Sequence, residues 1–183
     1  MFSDDRELDI VQYAVTVSGG YIGASQWSVR GSLGSVLDGT LEGDGRTHDI
    51  GPGIVAAASV SKQWSFGAWF VTGSLGAGAS RTTTREESGA GAGARQSLIG
   101  IDVLRIGAMA GRTFGVVSPY VLARAFGGPV LWTVDAMDVT GTDTSKFQLG
   151  AGVSVSTAGG LSLLLDVSAL GERSASLGMS YRL

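Results

Sequence analysis

The chain has 183 residues, a net charge of −3 and a pI near 5.0. Only 16% of its residues are charged, against roughly 25% in an ordinary soluble domain, and it carries 30 glycines and no cysteine. These features argue against a mainly helical fold, a disulfide framework, a thiolate metal site and a nucleic-acid partner, since no basic stripe is present.

No run of 18 apolar residues exists, so no transmembrane helix is expected. The opening Met1–Glu7 is acidic and polar and does not read as a secretion signal, so an exported chain would be in its mature form. Residues 1–9 read as a polar segment, and residues 10–183 as one domain.

The first run spans about Ile10 to Ile22. Val11, Tyr13, Val15, Val17 and Tyr21 share one face, and Gln12, Ala14, Thr16, Ser18 and Gly20 the other. A turn at Gly23–Ser25 leads to the second run, about Gln26 to Leu41, where Trp27, Val29, Leu33 and Leu37 alternate with Ser28, Arg30, Ser32, Gly34 and Asp38. A period of two is the signature of a strand with two unlike faces. The wet face of a soluble sheet carries Lys, Glu, Arg and Thr; here the polar face is Ser, Gly and scattered single charges. That suits the crowded inside of a narrow barrel with apolar side chains turned to lipid.

A loop at Gly43–Asp49 follows, then an Ala-rich third run at Ile54–Ser61, a turn at Lys62–Gln63, and a fourth run at Trp64–Ser80 whose phase slips near Trp69, as at a bulge. Arg81–Ala94 reads as the longest polar loop. The fifth run is Arg95–Arg112. The sixth, Tyr120–Asp135, is interrupted by Gly127–Gly128–Pro129, and a polar loop covers Ala136–Ser145. Phe147–Ser156 has the cleanest alternation, a tight turn at Ala158–Gly160 leads to Leu161, Leu163, Leu165 and Val167 opposite Ser162, Asp166 and Ser168, and Gly171–Arg173 precedes the last run.

That last run, Ser174–Leu183, puts Ala175, Leu177, Met179, Tyr181 and Leu183 on one face and Ser176, Gly178, Ser180 and Arg182 on the other. Its length suits a tilted crossing of a hydrocarbon core. With Gly178, then Tyr181 third from the end, then an apolar terminal residue, the segment resembles the C-terminal strand of bacterial outer-membrane β-barrel proteins. The usual terminal residue there is Phe, and Leu183 departs from it. The resemblance implies a closed antiparallel up-and-down transmembrane barrel in the outer membrane of a Gram-negative envelope. It also implies that Gly178, Tyr181 and Leu183 form a signal read by the barrel-insertion machinery. Such barrels have an even number of strands, so the nine runs are expected to resolve to eight, if Leu161–Leu183 is one kinked strand. Ten is the alternative, if Gly127–Pro129 is a hairpin turn.

Six charges fall on the small-residue side: Arg30, Asp38, Asp102, Arg124, Asp166 and Arg182. Isolated charges in a narrow lumen are costly, so they are expected to pair and fill it; a selectivity lining is the alternative. Tyr21, Trp27 and Trp64 are expected at one membrane interface, on the side of the short turns.

His48, the sole histidine, is expected to be an exposed loop residue, because no second His and no Gly-x-Ser-x-Gly motif accompanies it. Asp135, Asp138 and Asp143 fit no cation-loop spacing, and Gly89–Gly93 lacks the lysine of a phosphate loop. No cofactor, metal or catalytic residue is therefore expected. The expected role is a non-catalytic outer-membrane barrel, structural or scaffolding, with membrane lipid and other envelope proteins as partners. The alternatives are a narrow porin-like channel for ions or small solutes, and a soluble lipocalin-like barrel binding an apolar ligand.

Overall fold

The computed structural model describes residues 9–43, 46–86, 95–134, 137–142 and 145–181. The described residues form twelve strands and no helix: β1 (Asp9–Ile22), β2 (Trp27–Gly43), β3 (Arg46–Ile50), β4 (Gly53–Phe66), β5 (Trp69–Glu86), β6 (Arg95–Arg112), β7 (Val117–Gly127), β8 (Pro129–Val134), β9 (Met137–Thr142), β10 (Phe147–Ser156), β11 (Leu161–Gly171) and β12 (Ser174–Tyr181). Every pairing between them is antiparallel; all join chain neighbours or strands one apart, except β7, which pairs with β10 across β8 and β9. The fold is all-β and barrel-like.

Three pairs of strands lie end to end and share a lane of the sheet. β3 and β4 both run between β2 and β5, so the pairings of these four strands close on themselves around Gly51–Pro52. Proline has no N–H to give to a ladder, which accounts for the gap. β7 and β8 both pair with β6 and are separated by Gly128, where a Cβ would be driven into the Ile101 carbonyl. β9 and β10 continue the next lane, against β8 and β7.

The twelve strands thus make nine lanes, neither eight nor ten. Gly127–Pro129 is not a hairpin turn but a joint within a lane. Gly171–Arg173 is a real hairpin, with Gly171 at φ +75° and Ser168 opposite Ser174. Among the described residues β1 pairs with β2 alone and β12 with β11 alone, so the expected ring from first strand to last is not closed. Nine antiparallel lanes leave β1 and β12 running in the same direction.

The turns separate the two ends of the sheet. One end carries the connections at 23–26, 67–68, 113–116 and 157–160, and β12 finishes there, with Tyr181 opposite Leu161. Lys62–Gln63, expected to be a turn, lies inside β4, paired with Gly73 and Thr72. The turn is Gly67–Ala68, with Gly67 at φ +63° and Phe66 opposite Trp69. The slip near Trp69 is therefore a hairpin, not a bulge. At the other end the expected loops at 43–49 and 136–145 hold β3 and β9, and β5 runs on to Glu86.

Side-chain chemistry inverts along the lanes. Near the short turns the outer face is apolar: Trp69, Val71, Leu75, Ala77 and Ala79 on β5 alternate with inward Thr72, Ser74, Gly76, Gly78 and Ser80. Beyond Ser80 the outer residues are Arg81, Thr83 and Arg85, and the inner ones Thr82, Thr84 and Glu86 are buried. Val36, Leu41, Ile50, Leu98, Trp132 and Val139 form a buried apolar core inside this second region. One end of the sheet is built like a soluble barrel, and the rest has its greasy side out. Among the described residues, thirty-six large hydrophobic side chains are exposed and nine are buried.

Candidate functional site

The interior of the apolar-out region carries a polar network across four lanes. Tyr120 on β7, Gly152 on β10, Asp166 on β11 and Ser176 on β12 lie in one inward-facing row. Gly152 adds no side chain, so the Tyr120 hydroxyl passes over it and donates a hydrogen bond to Asp166 Oδ1. Asp166 Oδ2 also accepts from Ser176 at 3.4 Å and has the Arg124 guanidinium 3.9 Å away. Arg124 donates to Gln148 Oε1 at 3.1 Å, and Gln148 Nε2 donates to Ser174 at 2.6 Å. The carboxylate and guanidinium thus offset each other and are held by neutral donors and acceptors, as suits charges partly withdrawn from water.

Of the six expected lumen charges, Arg124 and Asp166 meet. Asp102 pairs with Arg105, which the sequence had not pointed to. The β5–β6 register shifts between Gly76 and Gly78, and the extra residue in β6 turns Arg105 to the same side as Asp102. Arg105 also lies 5.4 Å from the ring centre of Phe126. Arg30 is on the inner face, opposite Ser59, and is exposed. Asp38 is not on that face. The register shift opposite Tyr13–Ala14 reverses the phase of β2, so Asp38 shares the exposed side with Glu42, while Leu41 turns in and is fully buried. Arg182 and Leu183 lie outside the described residues, as do Asp135, Asp143 and Gly89–Gly93.

A second cluster caps the interior beyond the apolar-out region. Leu41, His48 and Glu86 stand in one row across β2, β3 and β5. His48, expected on an exposed loop, is 3% exposed and sits edge-on to Trp132, with ring centroids 5.0 Å apart and planes at 85°. β3 and β8 are three lanes apart, so this contact shows how tightly the sheet curls here. Trp132 Nε1 donates to Thr84 Oγ1 at 2.9 Å, and buried Glu86 has Arg46 Nη1 3.9 Å away. The cluster is a packed plug of aromatic, aliphatic and paired polar groups. Among the described residues no group of three His, Cys, Asp or Glu side chains is placed to hold a metal ion.

The outer face carries the third feature. Tyr21, Trp27 and Trp64 all point outward at the short-turn end, with Trp27 opposite Lys62 and Trp64 two residues further on. Phe66, Trp69, Phe114 and Tyr181 join them there. Lys62 Nζ lies 5.4 Å from the Trp27 ring centre, and Arg112 lies 5.4 Å from that of Trp69 and 4.9 Å from that of Phe114. Of the expected insertion signal, Gly178 and Tyr181 lie on the exposed edge strand β12, on its inner and outer faces respectively. No family model, no curated protein and no solved structure matches this chain.

Proposed function

We propose that the chain is an integral outer-membrane β-barrel without catalytic activity, acting as a structural or scaffolding element with a lumen filled by side chains. The observation that carries this reading is the inversion along β5, from apolar-out between Trp69 and Ala79 to polar-out from Arg81 onward. Apolar patches on soluble monomers rarely exceed a few hundred Å². A continuous belt over the lanes, edged by tryptophans, fits a hydrocarbon layer instead. The network around Asp166 and the plug around Trp132 support a filled lumen over a pore.

A hydrocarbon layer offers no partner for the edge N–H and C=O groups of β1 and β12. In the bilayer these two edges meet, and because they run in the same direction their seam is parallel. The test is refolding into phosphatidylcholine vesicles, followed by flotation and by conductance across a planar bilayer. Flotation with the vesicles and no unitary conductance is the expected result. A chain that stays dispersed in detergent-free buffer contradicts the membrane assignment, and steady unitary currents contradict the filled lumen.

A further inference from the structure

β5 and β6 place three arginines together on the outer face at the edge of the apolar belt, with Arg81 level with Ile54 and Ile99 and the other two beyond it. Arg85 and Arg95 are direct cross-strand partners, and Arg81 lies on the same face of β5, opposite Ile99. All three are exposed. Like charges directly opposite each other on a sheet destabilise it, so the arrangement asks for an anion. Among the described residues no carboxylate comes within ion-pair distance of any of the three. Asp49 faces Arg85 from the other side, on β3, and leaves the patch net positive. Thr83 and Ser97, themselves cross-strand partners between the arginines, add two hydroxyl groups.

The position of the patch narrows what the anion is. Trp69 and Arg81 are twelve residues apart on one face of β5. At about 3.3 Å per residue and a tilt of about 40°, that separates them by roughly 30 Å along the membrane normal, one hydrocarbon thickness. Trp69 and its neighbours then mark one interface, and Arg81, Arg85 and Arg95 stand at headgroup level in the opposite leaflet. Ile99 beside Arg81, and Ala77, Ala79 and Ile101 below it, offer an apolar surface for acyl chains. Guanidinium groups bind phosphate with paired, charge-assisted hydrogen bonds.

We propose that Arg81, Arg85 and Arg95 form a binding site for the phosphate headgroup of an anionic lipid, whose acyl chains lie along the β5–β6 face. This rests on the membrane reading above.

The experiment uses the full chain in nanodiscs of phosphatidylcholine doped with phosphatidic acid, with protein-bound lipid counted by native mass spectrometry after gentle release. Phosphatidic acid should be enriched over phosphatidylcholine by roughly tenfold. The triple variant Arg81→Gln, Arg85→Gln, Arg95→Gln should lose that enrichment, while Arg112→Gln, at the opposite interface, should keep it. Inorganic phosphate at millimolar concentration should not displace the lipid. Enrichment that survives in the triple variant, equal loss in Arg112→Gln, or displacement by inorganic phosphate each overturns the site. A chain that enters pure phosphatidylcholine discs but shows no enrichment overturns the site alone. A chain that enters neither disc overturns the membrane reading and the site with it.

Discussion

The Tyr120 hydroxyl reaches the Asp166 carboxylate because Gly152 stands between them without a side chain. A Cβ at Gly152 would lie 2.5 Å from Asp166 Oδ1, 2.6 Å from the Leu165 carbonyl oxygen and 2.7 Å from Tyr120 Cε2. Gly152→Ala should therefore destabilise the fold by about 1–3 kcal/mol, the usual cost of overpacking. Tyr120→Phe should cost about 1.5–3 kcal/mol, since the lost bond is to a charged acceptor. Urea titrations of vesicle-refolded protein measure both. A neutral Gly152→Ala would mean that the row across β7, β10 and β11 is not packed as described.

Trp132 is 2% exposed, stands edge-on to His48 and donates to Thr84. Trp132→Ala should cost about 3–5 kcal/mol, the range for removing a large buried aromatic side chain. His48→Ala should cost less, because it leaves the aliphatic core of Val36, Leu41, Ile50 and Leu98 in place. The reverse order in equilibrium unfolding would mean that the plug depends on His48 and not on Trp132.

The face assignment predicts unequal effects from neighbouring residues. Leu163→Arg, on the outer face of β11, should destabilise the inserted barrel by about 2–4 kcal/mol if the residue lies near midplane. Ser162→Arg, pointing inward, should cost less. Equal losses in a refolding titration would place both residues in the same environment.

The seam proposed between β1 and β12 has its own signature. A sheet closed in the bilayer resists detergent, so unboiled and boiled samples should migrate differently on gels. Identical migration would mean that the two edges stay apart.

Much of this architecture was legible in the sequence. The nine alternating runs fall on the nine lanes; the even-strand rule of the resembled family argued against nine, and chain length then argued for eight over ten. Turn positions were harder. Lys62–Gln63 carries turn-like residues but lies mid-strand, whereas Gly67–Ala68 turns the chain between Phe66 and Trp69 with only one glycine to mark it. Alternation predicted which way side chains face only as far as each bulge. The extra residue in β2 sent Asp38 outward, and the one in β6 brought Arg105 in. The residues around His48 looked like a loop because their apolar side, at Ile50, had switched from outside to inside, and those around Glu86 because Arg81–Glu86 has no apolar side at all. A period of two survives that switch, but a rule that equates apolar with outward does not. The pairing of Arg85 with Arg95 was hidden by the segment between β5 and β6, which keeps them apart in sequence while the sheet sets them side by side.

The central claim is that the apolar face of the sheet meets lipid. The chain has no cysteine, so single cysteines can be introduced along β11 and spin-labelled in vesicle-refolded protein. Labels at Leu161, Leu163, Leu165 and Val167 should be accessible to oxygen dissolved in the bilayer and shielded from a water-soluble nickel complex. Labels at Ser162, Leu164 and Ser168 should not share that preference, giving an accessibility pattern with a period of two. Nickel accessibility at the four outer positions equal to or above that at the inner ones would place the apolar face in water and contradict the account.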